Sequence, residues 1–217
     1  MKVSKAECNS QLIFYYLSQN NNANLISNLM KKLIIGSLVG AIIYFFWGFL
    51  SWAILPIHLH TYNYTPAQDS LLQIMAANNL EEGAYSMPMA DNRNVSGFDS
   101  KYHEESARLM KETEGKPMAT IYYLENGYQM NILRGFLFDF IAVLAACIIL
   151  IPAFSTTNSF FQRWWFTLVI GLIVSTCGPM LNFNWLGMPW NYTVDMILDS
   201  LLSWGITGLW LAWYFRS

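Results

Sequence analysis

The chain has 217 residues, of which 54% are hydrophobic and 16% aromatic, whereas 12% are charged and the formal net charge is −2. Soluble domains carry about 25% charged residues, so this composition excludes an ordinary soluble globule and points to a multi-pass membrane protein. Cys8, Cys147 and Cys177 stand far apart without C-x-x-C spacing, and no basic stripe is present. Those absences remove a disulfide framework, a thiol redox centre and nucleic acid as a partner.

Residues 1–29 are rich in Asn and Gln and stop just before Met30-Lys31-Lys32-Leu33, the pattern of a start ahead of a membrane anchor. They are expected to be an N-terminal extension, flexible or part of a non-native start, with Met30 as a real or alternative initiator. A short amphipathic interfacial helix over 12–17 is the competing reading. The apolar run of 33–57, within the segment 30–57, exceeds the roughly 7–15 residues of a signal-peptide core, and no A-x-A-like site follows it. It reads as an uncleaved anchor, transmembrane helix 1. Three further runs, at about 132–154, 164–181 and 193–213, come near the roughly 20 residues that a crossing needs, so 132–217 holds transmembrane helices 2–4.

Lys2, Lys5, Lys31 and Lys32 precede the first span, Arg163 lies between the second and third, and Arg216 follows the fourth. The loop between the third and fourth has no Lys or Arg. The positive-inside rule then places both termini in the cytoplasm of an inner (plasma) membrane and residues 58–131 outside.

The external segment is expected to be a small α+β cap. Thr65-Pro66-Ala67-Gln68 has the form of a capping box and predicts a helix to about Asn78. A second helix is predicted over 99–114, with Glu104–Arg108 and Arg108–Glu112 pairs and a stop at Gly115-Lys116-Pro117. Strand-like runs occupy 83–89 and 118–124. The blocks Lys31-Lys-Leu-Ile-Ile-Gly-Ser-Leu-Val-Gly40, Phe46-Trp-Gly-Phe-Leu-Ser-Trp52, Glu82-Gly-Ala-Tyr-Ser-Met-Pro88 and Gly115-Lys-Pro-Met-Ala-Thr-Ile-Tyr122 resemble a group of uncharacterised bacterial four-span inner-membrane proteins. That resemblance covers most of the chain from Met30 and implies the four-span architecture, with no function to carry over.

Asp195, Asp199, Ser203 and Thr207 are spaced by four on the fourth span, one polar stripe on one helix face. Arg134 and Asp139 begin the second span at a similar depth, so Arg134, Asp139, Asp195, Asp199 and Ser203 form a candidate ion or charge cluster. Intramembrane ionisable residues are functional candidates by default; the alternative is an Arg134–carboxylate network that pins two spans together. Below Thr207 nothing titratable lines the fourth span, which argues against a complete proton path within one protomer. Gly36-x-x-x-Gly40, with Gly48 beyond it, and the face of Thr167, Gly171, Ser175 and Gly178 are helix-packing candidates. The first of these suits either a homo-oligomer or packing within the bundle. Gly178-Pro179 reads as the stop of the third span.

His58, His60 and His103, with Met87 and Met89, include plausible copper ligands, but they lack a defining spacing, and no metal or other cofactor is expected. No G-x-S-x-G, H-E-x-x-H or phosphate loop is present. The fold class expected is an all-α four-transmembrane-helix bundle with a small α+β extracytoplasmic cap between helices 1 and 2. The function expected is a non-enzymatic accessory or interaction component, embedded in the lipid bilayer, whose residues 58–131 meet an extracytoplasmic protein partner. The alternative is a small oligomeric cation- or proton-coupled transporter or channel.

Overall fold

The computed structural model describes the backbone from Lys5 to Arg216 and the side chains from Ile26 to Arg216. In order, the elements are α1 (Lys5–Ala53), a 3-10 turn (Pro56–His58), α2 (Gln68–Ala77), β1 (Gly83–Met87), α3 (Ser100–Glu112), β2 (Ala119–Tyr123), α4 (Ile132–Phe154), α5 (Phe160–Ser175), α6 (Leu181–Leu186) and α7 (Trp190–Tyr214). Two compact units result, residues 1–63 with 131–217, and residues 64–130. Met30 lies inside the continuous helix α1, and the side chains of 12–17, on which the competing interfacial reading rests, are outside the described residues.

The first unit contains four helical stretches long and apolar enough to cross a membrane, Ile26–Ala53, Ile132–Phe154, Phe160–Leu186 and Trp190–Tyr214. Two of them start on side-chain caps. Asn131 accepts the backbone N–H of Arg134 at the head of α4, and Ser159 that of Gln162 at the head of α5, satisfying donors that a helix leaves open in its first turn. α1 packs against both α4 and α7, and α5 lies along α7. Ala41, Val143, Cys147, Leu150, Phe154 and Leu211 are buried between them. The apolar side chains left on the outside, such as Ile34, Phe46, Ile149 and Leu172, suit a hydrocarbon solvent.

Small residues sit where backbones approach. A β-carbon on Gly36 would lie 2.5 Å from the Phe215 ring, and one on Gly40 would lie 2.9 Å from Val143 and 3.3 Å from Leu211. Gly36 thus faces the end of α7, and Gly40 faces both α4 and α7, of the same chain. Gly171 backs onto Trp204, where an added β-carbon would sit 3.1 Å from that residue's own. Ser175 spends its hydroxyl on the Gly171 carbonyl at 2.8 Å.

Gly178-Pro179 does not end the third span. Residues Thr176–Met180 form a π-helical turn and the helix resumes as α6. Proline lacks an N–H and clashes with the carbonyl one turn back, and a single wide turn is a common way for a helix to absorb an irregularity. The true stop is Gly187, in the left-handed conformation at φ 65°, which glycine adopts without a side-chain clash.

In the second unit β1 and β2 pair antiparallel, with Gly83 opposite Tyr123 and Met87 opposite Ala119. The Met87–Pro88 peptide is cis. Asp99 caps α3, accepting from the N–H groups of Lys101 and Tyr102. The expected capping box is absent: Thr65 Oγ1 accepts from Ala67 N–H at 3.3 Å, a local turn, and α2 begins at Gln68 without a side-chain cap. Nor does Arg108 pair with Glu104. It donates to Glu105 at 2.6 Å and reaches Glu112 at 3.9 Å, because i,i+3 and i,i+4 positions share a face and compete for one guanidinium. Arg93 grips Asp91 with two hydrogen bonds of 2.9 and 2.6 Å. That grip holds the Asp91 carboxyl well below the usual carboxylate range and raises the guanidinium. A cleft of about 510 Å³ opens between α3 and the hairpin ends, lined in part by Met89, Tyr102, Leu109, Met110 and Met118.

Candidate functional site

The polar stripe of α7 lies against α1. Helix α1 stops at Ala53, and Pro56 opens the 3-10 turn in which Leu59 N–H returns to the Pro56 carbonyl and Thr61 N–H to that of His58. The chain thereby folds back over its own helix end and lays the His58 ring flat on Trp52, with centroids 3.8 Å apart and planes 7° apart. This turn presents His58 and Thr61 to α7.

The contacts form a chain. Thr61 Oγ1 donates to Asp195 Oδ2 at 2.6 Å, and His58 Nδ1 lies 3.2 Å from the same hydroxyl oxygen. His58 Nε2 faces Asp199 Oδ1 at 3.9 Å, with the His58 side chain 4% exposed and that of Asp199 18%. The Trp47 indole N–H donates to Asp199 Oδ1 at 2.8 Å. Asn191 Nδ2 donates to the His60 carbonyl at 2.9 Å, and Tyr62 meets Tyr192 edge to face. Further along, Ser203 Oγ donates to the Asp199 carbonyl at 2.7 Å. The Tyr44 phenol stands beside Ser203, with Asp139 and Asp199 both within electrostatic reach, and its ring packs on Trp204.

Of the residues singled out in the sequence, the structure brings Asp195, Asp199 and Ser203 onto one face and places Asp139 across from them near Tyr44. Arg134 stands exposed in the first turn of α4. Thr61 donates to Asp195 and Trp47 to Asp199, two donors that the sequence reading did not name. Sequence reasoning missed them because Thr61 reaches Asp195 only through the reversal after Pro56, and because an indole N–H is not a charge. The signal available was Trp47 itself, a buried-facing indole that needs an acceptor. His58 belongs to this cluster, His60 lends only its carbonyl, and His103 stacks on Phe98 within the second unit. Among the described residues no group of three His, Cys, Asp or Glu is placed to hold a metal ion.

The opposite end of the bundle carries a second polar anchor. Arg163 is 5% exposed; its Nε donates to the Ala212 carbonyl at 2.9 Å and its Nη1 to that of Thr157 at 3.0 Å. Trp164 Nε1 donates to the Gly205 carbonyl at 2.8 Å and Trp210 Nε1 to that of Gly36 at 3.0 Å. No protein-family model, curated protein or solved structure matches the chain.

Proposed function

We propose that this multi-pass membrane protein is a non-enzymatic interaction component, with both termini cytoplasmic and residues 58–131 outside, whose inserted unit binds a basic protein partner. The observation that carries this reading is the closure of the stripe carboxylates, Asp199 on Trp47 and Asp195 on Thr61. A transporter keeps such groups open to water, whereas a scaffold spends them on holding helices together. The partner's chemistry is argued from charge. Residues 64–130 carry ten Asp and Glu against five Lys and Arg, and their cleft exposes the thioethers of Met89, Met110 and Met118, soft groups suited to an adaptable apolar contact. The resemblance to bacterial four-span proteins supports the architecture within this reading.

The second reading, a small oligomeric cation- or proton-coupled transporter, is favoured by one observation. Inside the helix bundle the buried Thr207 Oγ1, Ser37 Oγ and Trp204 Nε1 have no hydrogen-bond partner among the described residues, and buried polar atoms of that kind are commonly met by water. A photo-crosslinking residue at Met110, introduced in cells, separates the readings. The interaction reading expects one adduct to a basic protein, lost when Glu112 and Glu114 are both changed to Lys. Proton or cation flux in proteoliposomes that disappears in Asp199→Asn would overturn it.

A further inference from the structure

The chain His58–Thr61–Asp195–Asp199 leaves one atom unaccounted for. A threonine hydroxyl has one hydrogen, and 2.6 Å from Asp195 Oδ2 it donates there. The same oxygen lies 3.2 Å from His58 Nδ1, so with Asp195 ionised it is Nδ1 that carries a hydrogen and donates to it. That leaves Nε2, in a side chain 4% exposed, without a hydrogen-bond partner and 3.9 Å from Asp199 Oδ1. Bare, it would turn a lone pair toward a carboxylate with no donor between them, beneath the Trp52 ring. A buried acceptor in that position is unfavourable. One added proton turns the same atom into a charged donor facing an anion.

We propose that His58, Thr61, Asp195 and Asp199 form a proton-binding site in which His58 Nε2 takes up a proton from hydronium and holds it against Asp199. The Nε2 lone pair forms the new N–H bond, hydronium is converted to water, and the charge of the four side chains goes from −2 to −1. Asp195 and Asp199 face the ring from α7; Tyr44 of α1 and Asp139 of α4 stand beyond Asp199. Trp47 and Trp52, the other side chains of α1 in the cluster, are neutral. The bound proton ties the turn after α1 to the head of α7, alongside the Thr61 and Asn191 hydrogen bonds and the Tyr62–Tyr192 ring contact. This goes beyond the proposed partner binding and does not depend on it.

Nitrogen NMR of the full chain in phospholipid nanodiscs, with ring-labelled histidine at pH 7, tests the proposal. The chain has three histidines, so His60→Gln and His103→Gln, whose side chains take no part in the cluster, assign His58 by elimination. Both His58 ring nitrogens are expected to be protonated in the wild type and only one in Asp199→Asn. A wild-type His58 with a single protonated nitrogen overturns the proposal, whether the proton is on Nδ1 or on Nε2 with Asp195 carrying the other. Broadening of a bare Nε2 signal by added Zn²⁺ overturns it in favour of a metal site. Two protons retained in Asp199→Asn overturn it as well, since Asp199 is then not the counter-ion. If that variant fails to fold, the wild-type spectrum decides alone.

Discussion

The two ends of the helix bundle face the same problem, a charged group with little water, and meet it with different hydrogen-bonding groups. At one end Arg163 is satisfied by the backbone, its guanidinium spanning the Ala212 and Thr157 carbonyls. At the other, Asp199 accepts from a side chain, the Trp47 indole, with the His58 ring 3.9 Å away. Chemistry explains the asymmetry. The last turn of α7 and the loop before α5 offer unpaired carbonyls, and the helix end adds the negative end of its dipole, which suit a planar five-donor cation. A carboxylate facing α1 in mid-helix finds every backbone N–H already used, so its donors must come from side chains. The Arg163 end is therefore fixed by helix geometry, whereas the Asp199 end depends on a few rings being in place.

Breaking the backbone-based end should have the largest effect. Arg163→Ala strands two carbonyls and removes a buried side chain. At about 1.5–3 kcal/mol for each hydrogen bond to a charged group, less what water restores at the helix ends, the expected loss is about 3 kcal/mol. Denaturant unfolding in detergent measures it, and Arg163→Lys should recover only part, since an ammonium cannot span both carbonyls as the planar fork does. Next comes the packing between the two ends. A β-carbon on Gly208 would overlap the Thr167 side chain, and Thr167 is fully buried with its hydroxyl bonded to the Trp164 carbonyl. Gly208→Val should cost about 2 kcal/mol by overpacking, with the second change Thr167→Ala restoring much of it. At the Asp199 end the effect is smaller. Trp47→Phe and Asp199→Asn combined in a double-mutant cycle should show a coupling of about 1 kcal/mol, in the range found for hydrogen bonds between membrane helices. A coupling near zero would mean that this bond fixes orientation without adding stability.

How much of this could be read beforehand follows from the range of each interaction. The four spans were legible because twenty apolar residues in a row are a local signal, and the stripe of Asp195, Asp199 and Ser203 was legible because a helix repeats every 3.6 residues. The partner of Asp199 was not. Trp47 is 152 residues away in sequence, and a search for opposite charge passes over an indole. Arg163 was read as a topogenic charge at the membrane edge, and its burial depends on where α7 ends, which sequence spacing does not give. Gly178-Pro179 misled for a different reason. The rule that proline stops a helix describes α-helical turns, and a π turn lets Pro179 pass. Nor does spacing along the chain show that Trp164 and Trp210 donate across helices to the carbonyls of Gly205 and Gly36.

The inserted unit supplies the contrast with both ends, because its ion pair is fully in water. Arg93 and Asp91 make two good hydrogen bonds, and the Asp91 carboxyl is depressed chiefly by that grip. A carboxyl depressed in the folded state adds stability above its unfolded pKa, about 3.9, and loses that contribution as pH falls toward the folded value. Screening by solvent and salt keeps the contribution small. Amide exchange of β1 and β2 in the full chain, compared between wild type and Asp91→Asn, should differ slightly at pH 7 and low salt, and the difference should shrink both at 1 M salt and below about pH 4. The Asp199 end should not follow this pattern, since its partners exclude most of the water that carries the salt. A salt-insensitive difference at Asp91 would mean that its pair with Arg93 is shielded, and the distinction between exposed and enclosed charge drawn for this molecule would have to be redrawn.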